Sequence, residues 1–517
     1  MRLADLLREV GGFHVEGDPS TDISHLSYRS SQAGPGHLFF CVPGFVRDGH
    51  DFALEALERG ASALCVERTL DLPVTQVVVP SVRRAMGPVA SALYEHPSAR
   101  LATVGITGTN GKTTTSFLLA YLLGEAGRRA GLLGTIERRI GGETFPTERT
   151  TPEAVDVQQD LALMVDAGDQ AAVMEVSSHA IDLDRVLGTT YAAVAFTNLT
   201  QDHLDYHGTL DAYFACKSRL FLDPAYARNR PSAVINVGDA FGALLAERLT
   251  PDRVIGVSAS DGGADEAGVG ADLGVADLVI DGRGVTGSLI VSGRALGAVR
   301  RGRGEPVVKG DLLTLDLSMK LLGRHNVENV LVALGLGVSL GLDLEGMVDA
   351  LPMFPGVPGR LERVDEGGPF TVAVDYAHTP DSVERILAMG RVIAEGRVIA
   401  VLGCGGDRDR TKRPLMGLAM EKGAHVAILT SDNPRSEDPA AIIEEMTAAL
   451  EHPETVRIEV DRRKAIEAAI AMAEPGDLVL ILGKGHESGQ ESLGVVTPFD
   501  DRVVAREALW ESGSLRS

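Results

Sequence analysis

The chain has 517 residues, 44% of them hydrophobic and 23% charged, and a formal net charge of −23 at pH 7. The hydrophobic fraction excludes a disordered chain, and the length exceeds one core, so two to four domains of roughly 100 to 200 residues are expected. Acidic charge without long blocks excludes nucleic acid or an anionic membrane as the main partner, and no apolar run approaches the roughly 18 residues that span a bilayer.

Cys41, Cys65, Cys216 and Cys404 lie far apart, with neither C-x-x-C nor zinc-like spacing, which fits a reduced setting. The opening MRLADLLREVGG interrupts its leucines with charges and lacks the apolar core of a signal peptide. A cytoplasmic protein is expected, as a monomer and without membrane insertion.

Residues 1–98 alternate short strand-like runs, HLFFCVP and ALCVE, with helical stretches such as DFALEALERGA, which predicts a small mixed α/β unit closing at EHPSAR. From 99 the texture becomes strand, glycine loop and helix: LATVGIT, KTTTSFLLAYLLGEAG, AAVMEVSS, AAVAFTNLT and PSAVINV. Alternating β and α elements imply a parallel sheet covered by helices. Farther on, SASDGGADEAGVGADLG and GAVRRGRGEP are poor in large apolar residues and read as surface loops flanking the strands VADLVIDG, GSLIVSG and LLTLDLSM. The basic RRGRG is too short for an RNA-binding patch in an acidic protein. After MFPGVPGR the α/β texture returns with FTVAVDYAH, RVIAVLGCGG, HVAILTSDN and DLVLILGKGHE, so a third domain spans 357–517 and the central one 99–356.

The strongest local signal is GITGTNGKTTT, between a strand-like and a helix-like run. Gly108 and Gly111 permit close backbone approach, Lys112 reaches terminal phosphates and Thr113 can place a hydroxyl on magnesium. Ile106 stands where the strict G-x-x-x-x-G-K-[ST] pattern wants glycine, yet the G-K-T core and its context point to ATP or GTP. Glu175, Ser177 and His179 of VMEVSSHA, with Asn198, His203 and His207 of TNLTQDHLDYHG, follow at the ends of successive strands, where acid and imidazole groups can hold a divalent ion. Lys217 of YFACKSRLF is close in sequence, and an unmodified lysine would repel that ion.

Together the residues resemble the Mur ligase family, ATP-dependent ligases that add amino acids to the cell-wall precursor. TGTNGKTT, EVSSHA, NLTQDHLDYH, YFACKSRLF, GRHNVENVLVA, PGRLE, DYAHTPDS and GKGHE appear in the expected order and cover essentially the whole chain. The resemblance implies an α/β protein of three domains: a small N-terminal one for the UDP end of the substrate, a central P-loop ATPase-like one and a Rossmann-like C-terminal one for the amino acid. ATP and Mg2+ are the implied cofactors. By the same resemblance ATP is held by Gly108, Thr109, Asn110, Gly111, Lys112, Thr113 and Thr114, with Asn326, Asn329, Arg360 and Asp375. Thr113 and Glu175 serve one metal ion, His203 and a carbamylated Lys217 a second. Lys112, Lys217 and His203 are the implied catalytic residues. Thr150, Thr151, Ser177 and Arg185 match positions that grip the muramoyl-peptide. Cys216 stands where alanine is common, and RSS at 29–31 replaces DSR, leaving Ser30 as the matched uridine-domain position.

The segment TSDNPRSEDP has strong turn chemistry, with Ser436 placed to open the next helix, but a turn needs no guanidinium. On its own Arg435 reads either as a solvated loop arginine or as a planar fork for a carboxylate. Within the family, D-N-P-R resembles the signature of enzymes accepting diaminopimelate, whose second carboxylate lysine lacks. The implied pocket is Arg408, Asp432, Asn433, Pro434, Arg435, Gly483 and Glu487, with Glu487 on the distal ammonium and the arginines on the carboxylates. The implied reaction joins diaminopimelate to UDP-N-acetylmuramoyl-L-alanyl-D-glutamate through an acyl phosphate. Alternatives are a related ligase using L-lysine or a dipeptide, a nucleotide-binding scaffold, and a P-loop kinase.

Overall fold

The computed structural model describes residues 1–44, 46–260, 271–302, 304–305, 310–364 and 368–511. It divides into two compact units, one of Met1–Ala276, Ser288–Leu315 and Val327–Ala350, the other of Asp277–Gly287, Asp316–Asn326 and Leu351–Ser517.

The first unit begins with a five-stranded sheet in the order His14–Glu16, Thr75–Val78, Ala63–Val66, His37–Phe40, His25–Ser27. All pairs are parallel except that of His14–Glu16, an antiparallel edge. Leu3, Leu6, Phe40, Val77, Val82 and Val89 form its core. The larger sheet of this unit places Ala102–Thr107 in its middle, between the parallel strands Ala171–Glu175 and Ala193–Phe196. Ala130–Leu133 lies beyond the first and Ser232–Asn236 and Val254–Val257 beyond the second, all parallel. Val104, Ile106, Val173, Val194 and Val234 are fully buried, which is why these strands read as unbroken apolar runs instead of alternating ones. Parallel order brings the carboxyl ends of neighbouring strands to one edge, and there lie 108–113, 175–179 and 197–200.

In the second unit the strands run Glu362–Arg363, Thr371–Asp375, Leu478–Leu482, Val398–Cys404, Val426–Ser431, Val456–Ile458, parallel except for the first pair. Successive side chains feed opposite faces: Ala373, Ala400, Leu402 and Leu480 pack into one cluster, and Val372, Ile399, Val401 and Val479 into another. The α/β architecture expected from the sequence is present. Among the described residues no helix is long and apolar enough to cross a membrane.

Two local expectations are corrected. Gly293–Gly302 is an α-helix and not a surface loop, with Ala295, Leu296 and Gly297 buried. Its first turn is held by Asp272, whose carboxylate accepts from the Arg294 amide while its other oxygen accepts from Gly256 N at 2.9 Å. That cap comes from 22 residues upstream, so no local pattern announces it. Residues 261–270, 303 and 306–309 of the two loop readings lie outside the described residues. Ser436, in turn, does not open the helix after the DNPR turn. Asp438 caps Pro439–Thr447, accepting from Ala440 N, and the Ser436 hydroxyl donates to Asp407 Oδ1 at 2.6 Å.

Candidate active site

In the first unit, Gly111 caps the helix Lys112–Glu125 in a left-handed conformation, φ +84°, and a Cβ there would meet Asn329 Oδ1 at 2.1 Å. Gly108 has φ +150°, and its Cβ would lie 1.9 Å from Thr197 Oγ1. Both glycines are therefore required by geometry. Asn198 ties down the loop, accepting from Asn110 N at 2.9 Å through Oδ1 and from Thr109 N through its carbonyl. The Lys112 ammonium folds back on the loop carbonyls of Gly108 and Thr109, at 3.0 and 2.8 Å. Thr114 is buried in the first helical turn.

Glu175 ends its strand fully buried, with Oε2 accepting from Thr113 Oγ1 at 2.9 Å and from Thr135 Oγ1 at 3.0 Å. Thr135 Oγ1 can then accept from Thr150 Oγ1 at 3.1 Å, and Thr151 Oγ1 donates to the Glu175 carbonyl at 2.8 Å. Ser177 caps the next short helix through Ala180 N, and its own amide donates to Thr151 Oγ1 at 3.1 Å. Arg185 reaches the Thr151 carbonyl and pairs with Glu153 at 3.1 Å, while burial holds its guanidinium below the usual arginine range. Ser30 is not drawn into this cluster by any bond, donating instead to Glu55 at 2.9 Å.

Lys217 is 1% exposed, its Nζ donating to the Gly108 carbonyl at 2.8 Å and lying 4.6 Å from the Tyr213 ring centroid. Among the described residues no carboxylate forms an ion pair with it. Burial, and then the nearby Lys112, drive its pKa well below the ordinary lysine value. His203 stands in left-handed conformation, φ 52°, with its ring 4.9 Å from that of His179. Burial lowers its pKa, Asp202 opposes the shift, and His179, Lys112 and Lys217 add to it. Among the described residues no group of three or more His, Cys, Asp or Glu gathers around one point. The hydroxyl and carboxylate of Thr113 and Glu175 nevertheless form the oxygen-donor pair that magnesium takes alongside phosphate and water.

The second unit holds a cavity of about 310 Å3 at the carboxyl ends of its parallel strands. It brings together Arg408, Asp432, Asn433, Arg435, Gly483 and Glu487, six of the seven residues expected there. Pro434 is not among its lining; its carbonyl accepts from Glu437 N at 2.9 Å. Arg435 has φ 49°, its Nη1 donates to the Gly406 carbonyl at 2.6 Å, and its Nε lies 3.3 Å from Glu491. Gly483 has φ +110°, and a Cβ there would meet Asp432 Oδ2 at 2.9 Å. The lining also includes Tyr376, His378 and Lys412, which motif reading left without a role although DYAH contains the first two. Beneath it Arg462, fully buried and paired with Asp501 at 2.6 Å, donates to the carbonyls of Ser431 and Leu482, the last residues before the two site loops. No sequence signal marks that pair, because its members are 39 residues apart.

Asp375 is buried and accepts from Leu361 N and Ala377 N, both at 2.8 Å, and burial raises its pKa. Arg360 lies over the Tyr376 ring at 5.0 Å, with its buried Nε lacking a hydrogen-bond partner among the described residues. Asn326 Nδ2 donates to the Leu322 carbonyl at 2.8 Å. His486 packs 5.2 Å from the Tyr376 ring, and burial, reinforced by Arg360 and Arg502, pulls its pKa from 6.5 to about 4. Between those values the unfolded chain binds a proton that the folded one does not, so stability falls as pH drops through this window, by about 3 kcal/mol. Urea midpoints taken between about pH 4 and about pH 7 should show that slope, reduced in His486→Gln.

Family comparison agrees with this geometry. Residues 106–337 match the Mur ligase middle domain, 359–485 the domain described as Mur ligase, glutamate ligase domain, and 22–97 the domain described as Mur ligase family, catalytic domain. The chain belongs to the Mur ligase family. Two similar relatives are named UDP-N-acetylmuramoyl-L-alanyl-D-glutamate–2,6-diaminopimelate ligase. That of Geobacillus thermodenitrificans is 43% identical over 515 residues, covering 99% of this Mur ligase and 100% of the relative. That of Thermosynechococcus vestitus is 43% identical over 497 residues, covering 95% and 94%. A solved structure of a ligase with the same name superposes with a TM-score of 0.69 at 31% identity, over 99% of each chain.

Proposed function

We propose that this Mur ligase joins 2,6-diaminopimelate to UDP-N-acetylmuramoyl-L-alanyl-D-glutamate with hydrolysis of ATP, the step that forms the tripeptide of the peptidoglycan precursor. The observation that carries it is the cavity in which two guanidiniums, Arg408 and Arg435, stand with the Glu487 carboxylate. Two cations and an anion suit an amino acid bearing two carboxylates and a second ammonium; lysine, with one carboxylate, would leave one of the two guanidiniums without a ligand carboxylate. The reading carries three domains, 1–98 for the UDP moiety, 99–356 for ATP and 357–517 for the amino acid. It also carries a cytoplasmic monomer working on small molecules.

Lys112 and the loop amides of residues 108–114 hold the ATP phosphates, with Asn326, Asn329, Arg360 and Asp375 as the remaining nucleotide residues. Thr113 and Glu175 would hold one magnesium ion, and His203 with a carbamylated Lys217 a second; the ions would supply charge neutralisation at the phosphates. Thr150, Thr151, Ser177 and Arg185 hold the D-glutamyl end, so that its carboxylate attacks the γ-phosphorus and releases ADP. The diaminopimelate amine then displaces phosphate from the acyl phosphate to form the amide. Such a reaction asks the protein for alignment and charge stabilisation above all.

Phosphate release by the purified chain with ATP, magnesium and the muramoyl dipeptide should rise on adding diaminopimelate, with an amide product of the matching mass. Equal stimulation by L-lysine would overturn the acceptor assignment, and a phosphorylated product without an amide would overturn the ligase reading.

A further inference from the structure

Lys484, the lysine of GKGHE, is fully buried and spends every proton of its ammonium inside the protein. Its Nζ donates to Glu487 Oε2 at 3.1 Å, to Asn433 Oδ1 at 3.2 Å and to the Gly489 carbonyl at 2.7 Å. Asn433 is held at both ends of its amide, because Oδ1 also accepts from Glu491 N at 2.9 Å and Nδ2 donates to Glu487 Oε2 at 2.7 Å. Lys484 thereby fixes which end of the Asn433 amide faces Glu487: an ammonium can only face the oxygen, so the amide nitrogen must face the carboxylate. Both donors to Glu487 fall on Oε2, and among the described residues Oε1 receives none. The Glu487 side chain is 33% exposed at the cavity it lines, so the carboxylate presents one unsatisfied oxygen in a fixed orientation.

We infer that Lys484 is a positioning residue for acceptor specificity: with Asn433 it clamps Glu487 Oε2 so that Oε1 reads the distal ammonium of the amino acid. Lys484 touches no substrate itself, having no proton left to give. Without it, Asn433 keeps only the Glu491 amide to hold its orientation and Glu487 keeps a single tether, so the carboxylate gains freedom to rotate and the ammonium loses a pre-organised partner. The inference rests on reading the cavity as the diaminopimelate site.

The test compares two acceptors, diaminopimelate and 2-aminopimelate, which lacks only the distal amine, with the full-length protein, ATP, magnesium and the muramoyl dipeptide. Lys484→Met is expected to lower kcat/KM for diaminopimelate about tenfold, mainly through KM, and to change that for 2-aminopimelate less than about twofold. The KM for ATP stays the same. In a Glu487→Gln background, Lys484→Met should add nothing to the loss of discrimination. An equal loss on both acceptors, or a loss in kcat alone, would overturn the positioning role while leaving the acceptor assignment intact. A wild-type protein that ignores diaminopimelate would overturn the assignment and the inference with it. Should Lys484→Met fail to fold, Asn433→Leu removes the other donor to Oε2 and must show the same collapse of discrimination; unchanged discrimination there overturns the inference.

Discussion

Lys217→Met is expected to lower kcat/KM by about a thousandfold or more, the scale seen when a group that stabilises transition-state charge is lost. The lysine is buried beside Lys112, and among the described residues no carboxylate pairs with it, an arrangement that opposes a charged ammonium. On the proposed reading a neutral amine in that position would add carbon dioxide, its nitrogen bonding to carbon with release of a proton, to give an anionic carbamate. The change of sign turns a group that repels a divalent ion into one that attracts it. Exchange into carbon-dioxide-free buffer should lower the activity of the wild type, and bicarbonate should restore it, with Lys217→Met insensitive to both. A Lys217→Met protein with near wild-type turnover would remove this residue from the catalytic machinery.

Arg435→Ala should cost about 2 kcal/mol or more in kcat/KM for diaminopimelate, while the KM for ATP is unaffected. The guanidinium is held by the Gly406 carbonyl and Glu491 and sits 23% exposed at the cavity, so it is oriented before any ligand arrives. Its backbone is left-handed, a conformation that costs a residue with a side chain roughly 1–2 kcal/mol and persists where surrounding structure imposes it. Here the imposition is visible: Arg435 N donates to the Glu491 carbonyl at 3.0 Å, and its own carbonyl accepts from Leu493 N at 2.6 Å. Arg435→Lys should restore little, because a point charge does not reproduce a planar fork. An unchanged kcat/KM in Arg435→Ala would take the residue out of the pocket.

Much of the scaffold was legible because parallel strands buried on both faces are written as continuous apolar runs, AAVMEVSS and DLVLILGKG among them, and glycine loops punctuate them. The phosphate loop was legible for a local reason: Gly108, Gly111 and Lys112 do their work within one turn of chain. The helix Gly293–Gly302 was not, since its cap, Asp272, arrives from a bend just before the strand Leu273–Asp281. Nor was the true start of Pro439–Thr447, where Ser436 and Asp438 are both credible caps and only the bond from Ser436 to Asp407 removes the first from contention.

The sequence by itself determined which motifs lie at the strand ends and in what order, because motif spacing along one loop or one turn reflects short-range geometry. It also determined the α/β class, through the periodicity of burial. Only the tertiary structure decided how those residues are supported. That Asn433 faces Glu487 through its nitrogen, that Lys484 reaches Asn433 Oδ1, and that Arg462 with Asp501 braces the strand ends beneath the cavity are all contacts between segments far apart in the chain. Hydrogen-bond saturation is a property of a packed neighbourhood, and no single stretch of sequence contains one.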